Sequence, residues 1–153
     1  MVIIYCHHAE RKRGKTLSQQ DDLTDLGIMD AQLNAKILSQ NKSIKAIYTS
    51  PFYRCKKTAE ILNEKLNLPI IEDERLNEYK SFEGETWIDL QTRVMSVCND
   101  IYEKYNDEDS VICVTSGVNV AGFICWDFNL TLSEKTPFIQ VESCSPLGFY
   151  KKK

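Results

Sequence analysis

Apolar residues in this chain fall into short unbroken runs, separated by longer stretches where they recur every three or four positions. Val2-Ile3-Ile4-Tyr5-Cys6 is one such run, and Val111-Ile112-Cys113-Val114-Thr115 is the clearest. Continuous runs of this length fit strands of a parallel sheet covered on both faces. Ala46-Ile47-Tyr48-Thr49 predicts another strand, and Pro69-Ile70-Ile71 begins a third. Phe138 to Val141 and Leu147 to Tyr150 are expected to close the sheet.

The intervening stretches carry the helical period. Thr24 can cap a helix running to about Gln40, with Leu26, Met29, Leu33, Ile37 and Leu38 at helical spacing. Ser50 is expected to cap, and Pro51 to open, a helix striped by Cys55, Ala59, Leu62 and Leu66 and ended by Asn67 to Pro69. After an acidic loop from Glu72 to Gly84, a long helix is predicted from about Glu85 to Tyr105. Its core face would carry Trp87, Leu90, Val94, Val97, Ile101 and Tyr105. Ser116-Gly117 turns the clearest strand into an apolar helix near Val118 to Trp126, and the three terminal lysines are expected to fray.

Strand and helix alternate with linkers too short to divide the chain, and no repeat interrupts them. This predicts a single α/β domain over residues 1–153, with a mostly parallel sheet covered by helices on both faces. In such sheets ligands bind beyond the carboxyl ends of the strands. Four segments lie there: His7 to Lys15, Ser50 to Arg54, Asn77 to Glu83, and Thr115 to Asn119.

Composition narrows the classes. The 153 residues are 42% hydrophobic and 27% charged, as in ordinary globular proteins. A formal net charge of −3 argues against nucleic acid or an anionic membrane as partner. The opening apolar run is too short for a signal-peptide core, and no run reaches the ~18 apolar residues of a membrane span, so the expected location is the cytoplasm. Six cysteines with no C-x-x-C pair then read as reduced core thiols. The only two histidines, His7 and His8, are adjacent; on a strand they would face opposite ways, so no metal site is expected.

Three motifs in order carry a resemblance. Tyr5-Cys6-His7-His8-Ala9-Glu10 ends the first strand, Leu23-Thr24-Asp25-Leu26-Gly27 starts a helix, and Thr49-Ser50-Pro51-Phe52-Tyr53-Arg54-Cys55-Lys56-Lys57-Thr58-Ala59-Glu60 follows the second strand. Together they resemble the histidine phosphatase superfamily, the phosphoglycerate-mutase-like proteins, from Val2 to about Val120. The family pattern is Arg-His-Gly-Glu or Arg-His-Ala-Glu, then Leu-Thr-x-x-Gly, then Ser-Ser-Pro-x-x-Arg. The resemblance implies a three-layer α/β/α sandwich that acts on a small phosphorylated molecule without a cofactor. It implies His8 as the nucleophile that becomes a phosphohistidine, Arg54 as a clamp on the phosphoryl oxygens, and Glu78 as the acid for the leaving oxygen. Glu83 and Glu85 are alternatives for that acid. Gly84-Glu85-Thr86 with Asp89 and Arg93 resembles a family helix start placed close behind Glu78, which implies a shortened loop and an open substrate-side wall.

Two positions depart from the pattern. His7 stands where the family has arginine, and Ser116, before Gly117, stands where it has a second histidine. Losing one preorganised donor to a developing anion typically costs ~10²–10³ in rate. The expectation is therefore a weakened phosphatase with His7, Ser116 and Gly117 as phosphate-binding members, or else a non-catalytic relative that binds a phosphorylated ligand or a protein. Arg11, Lys12, Arg13 and Lys15 would supply positive charge beside the pocket. Cys6 is a poor rival nucleophile: a cysteine phosphate loop needs an arginine six residues on, where this chain has Lys12, and no glycine lies between.

Overall fold

The computed structural model describes residues 1–12, 20–133 and 143–150. Strands Val2–His7 (β1), Ile44–Thr49 (β2), Ile70–Glu72 (β3), Ser110–Thr115 (β4) and Pro146–Tyr150 (β5) form one sheet in the order β3-β2-β4-β1-β5. The first four run parallel, and β5 pairs antiparallel with β1. Helices Asp25–Leu38 (α1) and Tyr53–Leu66 (α2) cover one face; Trp87–Lys104 (α3) and Gly117–Asp127 (α4) cover the other. The expected three-layer α/β/α sandwich is therefore what the chain forms.

Alternation along the strands builds two cores. Ile3 and Tyr5, Ala46 and Tyr48, Val111 and Cys113 face α3 and α4. Ile4 and Cys6, Ile47, Ile112 and Val114 face α1 and α2. Strand β4 is buried at every position, as a central parallel strand must be. Among the described residues no helix is long and apolar enough to cross a membrane.

The helix ends follow local chemistry. Thr24 caps α1, its hydroxyl accepting from the Gly27 amide at 3.0 Å. Thr86 and Asp89 form a capping box, so α3 begins at Trp87 rather than at Glu85. Trp87 is only half-buried and stacks on Tyr79 instead of entering the core. Asn67 ends α2 in the left-handed region (φ 51°). Ser50 and Pro51 do not open α2. The helix starts at Tyr53 with Phe52 at its N-cap; the Ser50 hydroxyl donates to Asn77 (2.7 Å) and accepts the Phe52 amide (3.3 Å) ahead of the first helical residue. The strand expected over Phe138 to Val141 and the three terminal lysines lie outside the described residues.

Helix α1 reverses the usual arrangement. Its large apolar residues Leu26, Met29, Leu33 and Ile37 are 57%, 64%, 57% and 58% exposed. Gly27, Ala31, Ala35 and Leu38 form its buried face. The reason is close approach: a Cβ at Gly27 would stand 2.4 Å from the Glu10 carbonyl oxygen and 2.8 Å from the Glu10 amide nitrogen. Only small side chains let the helix sit this near the backbone after β1.

Gly27→Ala tests that approach. Helix propensity alone favours alanine by about 1 kcal/mol. Backbone atoms cannot yield as a flexible side chain does, so the variant is expected to lose about 1–3 kcal/mol of stability in urea unfolding. A more stable variant would contradict the contact.

Candidate active site

The carboxyl ends of β1, β2 and β4 converge, and the chain beyond β3 joins them. The His8 amide donates to the Thr115 carbonyl (2.9 Å), which fastens the residue after β1 to the end of β4. The Ser50 amide donates to the Val114 carbonyl (3.1 Å), bringing the end of β2 to the same strand. Behind His8, the Ala9 amide donates to the Thr58 hydroxyl (3.0 Å), which donates in turn to the Arg54 carbonyl (2.7 Å). Thr58 thus ties the β1 loop to α2.

Three side chains meet at the centre. The His8 Nδ1 atom lies 2.8 Å from the Ala9 carbonyl oxygen, and Arg54 Nε lies 3.0 Å from His8 Nε2. A carbonyl can only accept and a guanidinium N–H can only donate. Nδ1 therefore carries the proton, and Nε2 presents its lone pair. Arg54 also pairs through Nη2 with Glu78, and its guanidinium lies 5.1 Å from the Phe52 ring centroid. Arg54 is 1% exposed, so the Glu78 carboxylate is what makes its burial tolerable. Burial first, then the His7 imidazole, Arg54 and Arg11, lower the His8 pKa from 6.5 to about 3, against the opposing pull of the Ala9 carbonyl.

The segment holding Glu78 is braced from two sides. The Asn119 side-chain amide donates to the Leu76 and Asn77 carbonyls (both 2.9 Å) and to the Thr115 hydroxyl (2.8 Å). The Ser50 hydroxyl donates to Asn77 Oδ1 (2.7 Å). From α3, Arg93 donates to the Arg75 carbonyl (2.7 Å) and the Glu78 carbonyl (3.2 Å). Asn77, Asn119, Thr58 and Arg93 are the residues that sequence reasoning left without a role here. The signal was present for Asn119, a buried amide inside an otherwise apolar helix stretch.

Each candidate can now be placed. Glu78 reaches Arg54, whereas Glu85 pairs with Arg93 and accepts the Lys80 amide (2.7 Å). Partial burial opposes the Glu85 charge, yet these partners hold its carboxyl below the usual value. Glu83 is exposed and pairs with Lys80 at 3.3 Å. The His7 ring sits edge-on to His8 with centroids 4.4 Å apart. It also lies 3.4–3.6 Å from where a Cβ on Gly117 would stand. Ser116 occupies the N-cap of α4; its hydroxyl is buried and has no hydrogen-bond partner among the described residues. Two helix N-termini, of α2 and α4, thus flank the histidine pair, a setting that favours an anion.

The basic loop is less available than its composition implied. Arg11 pairs with Asp21 at 2.6 Å and Lys12 with Asp22 at 3.3 Å, while Arg13 and Lys15 lie outside the described residues. Cys6 is fully buried, and its contact with Cys144 together with that burial pushes its thiol well above its ordinary value. A thiol so held is a poor nucleophile.

The fold is that of phosphoglycerate-mutase-like phosphatases of known structure. YhfR of Bacillus stearothermophilus superposes with a TM-score of 0.80 at 21% identity, covering 96% of this chain and 89% of that one. A mycobacterial glucosyl-3-phosphoglycerate phosphatase, in complex with VO3, gives 0.76 at 17% identity, with 96% and 90% covered. A phosphoserine phosphatase mutant from Entamoeba histolytica, in complex with phosphoserine, gives 0.76 at 18%, with 97% and 89% covered. At such identities the likeness is one of fold. No curated protein sequence matches significantly. The family model of the histidine phosphatase superfamily (branch 1) matches residues 6–83, just over half of the chain. The chain belongs to that superfamily.

The low His8 pKa has a measurable sign. Between pH 3 and 6.5 the unfolded chain binds a proton at this histidine that the folded chain refuses. Stability is therefore lost as pH falls below 6.5, with a slope of up to about 1.4 kcal/mol per pH unit from this group. His8→Gln is expected to flatten the acid limb in urea titrations. A His8 ring that titrates near 6.5 by NMR in the folded protein would contradict the assignment.

Proposed function

We propose that this protein is a phosphomonoesterase that hydrolyses a small phosphate ester through a phosphohistidine at His8. The observation that carries the proposal is the His8 imidazole itself: neutral, fixed as the Nδ1–H tautomer by the Ala9 carbonyl, with the Nε2 lone pair beside a buried guanidinium. One structural neighbour, the mycobacterial glucosyl-3-phosphoglycerate phosphatase, in complex with VO3 and with inorganic phosphate, supports a phosphate-sized ligand.

In the first step His8 Nε2 attacks phosphorus and the ester P–O bond breaks. As the ester phosphate displaces Glu78 from Arg54, a substrate entering as the monoanion leaves its proton on Glu78, which passes it to the leaving alkoxide. Arg54, released from His8, donates its N–H groups to the phosphoryl oxygens, assisted by the α2 and α4 amides, the Ser116 hydroxyl and His7. In the second step water attacks phosphorus, Glu78 takes its proton, and the P–N bond breaks to return neutral His8. These protein groups supply the whole reaction, with no metal or cofactor. A small phosphate ester as substrate calls for no nucleic acid or membrane, and six buried thiols fit a cytoplasmic setting. The shared sheet from β1 to β5 supports a single domain.

His7 and Ser116 replace two groups of the family pocket, so the rate is reduced. Each loss is worth roughly 10²–10³ when taken alone, and such losses are not additive. These same substitutions favour the second reading, a non-catalytic member that binds a phosphorylated ligand or a protein.

The test is p-nitrophenyl phosphate hydrolysis from pH 4 to 8 with the wild type and His8→Ala. A slow activity that disappears in His8→Ala is expected, with acid-labile phosphate trapped on the wild type. Equal or absent activity in both proteins at high enzyme concentration moves the assignment to ligand binding alone. The double variant His7→Arg, Ser116→His is expected to raise the rate about tenfold or more. No gain would show that the loss of catalysis lies elsewhere in the pocket.

A further inference from the structure

The outer face of α1 is explained neither by the fold nor by the site. Leu26, Met29, Leu33 and Ile37 recur at intervals of three and four, so they line one side of the helix and are all more than half exposed. The opposite face, Gly27, Ala31 and Ala35, already satisfies the packing of the domain. Scattered exposed apolar residues are ordinary, but a contiguous stripe on one helix marks an interaction surface.

The polar flank of that stripe identifies what it fits. Asp25 and Lys36 are eleven residues apart, about three turns, and so share one edge of the stripe. Both are exposed, and neither has an ion-pair partner among the described residues. Acidic charge thus stands at the start of the edge and basic charge at its end. When two such helices pack antiparallel about a two-fold axis, each edge faces its own copy with direction reversed. Asp25 of one copy then meets Lys36 of the other, twice. The apolar residues pair in the same way: Leu26 of one copy against Ile37 of the other, and Met29 against Leu33. Surface and charge are therefore self-complementary, the condition for a two-fold interface.

We propose that the outer face of α1 joins two copies of this chain into an antiparallel, two-fold dimer in solution. Four side chains per copy make a small contact, so the dimer is a weak and reversible one.

Sedimentation velocity on the full chain from 1 to 300 µM tests it. The expected result is a concentration-dependent shift from monomer to dimer. Leu33→Glu, at the centre of the stripe, is expected to raise the dissociation constant by about tenfold or more. Its unchanged melting temperature would show that the position is a surface one. Asp25→Lys and Lys36→Asp are each expected to weaken self-association, and an equimolar mixture of the two to restore it, because every edge contact then joins Lys to Asp. A wild type that stays monomeric at 300 µM overturns the proposal. So does a dimer insensitive to Leu33→Glu. Failure of the mixture to recover association overturns the antiparallel pairing. A monomer that instead cosediments with phosphatidylcholine vesicles, in a manner abolished by Leu33→Glu, assigns the stripe to a lipid surface and also overturns the dimer.

Discussion

A guanidinium withdrawn from water stays charged at tolerable cost only when fixed acceptors take over its hydration, and Arg54 is withdrawn almost completely. Its acceptors come from two other parts of the chain, His8 after β1 and Glu78 beyond β3. Satisfying this one cation therefore fixes three elements relative to one another. It also shapes His8: burial and the His7 ring do most to oppose protonation, Arg54 at Nε2 adds to them, and the lone pair stays directed at the donor. In the proposed mechanism an anion takes over the guanidinium and releases that lone pair. The ion pair between Arg54 and Glu78 is in this sense a holding arrangement for the pocket.

The framework around that cation is made of backbone carbonyls held by side-chain amides and hydroxyls. Asn119 gathers the Leu76 and Asn77 carbonyls, Thr58 links Ala9 to Arg54, and Arg93 reaches across from α3 to the Glu78 carbonyl. None of these contacts has a sequence period. They depend on where β4, α2 and α3 bring unlike parts of the chain together. This is why His8, Arg54 and Glu78 were legible as candidates from motif order, while their supports were not. The choice among Glu78, Glu83 and Glu85 was likewise open in the sequence. The structure separates their partners: Arg93 engages Glu85, while Glu78 turns to Arg54.

The strands were legible because a buried parallel strand leaves an unbroken apolar run, and β4 is the extreme case. Helix α1 shows the limit of the same logic. Its period was clear, but a period gives the existence of a stripe and not which way it points. Direction was decided by Gly27 and the two alanines, whose lack of bulk lets the helix lie against the Glu10 backbone. Ser50-Pro51 failed for a related reason. The Ser50 hydroxyl is oriented by a tertiary partner, Asn77, and accepts the Phe52 amide ahead of the helix instead of an amide of its first turn.

The order of the sheet has a consequence for how the protein comes into being. Strand β1 lies between β4 and β5, and Val2 pairs with Ser110 and Tyr150. Among the described residues it has no sheet neighbour nearer along the chain, so its pairing must close loops of roughly a hundred residues, which is slow relative to local structure. His8 takes its amide partner from Thr115, and the His7 carbonyl takes the Cys144 amide. The histidine at the heart of the pocket is thus made long before the partners that set it in place. During synthesis the early helices can therefore form well before β4 and the Cys144 segment exist to complete the pocket.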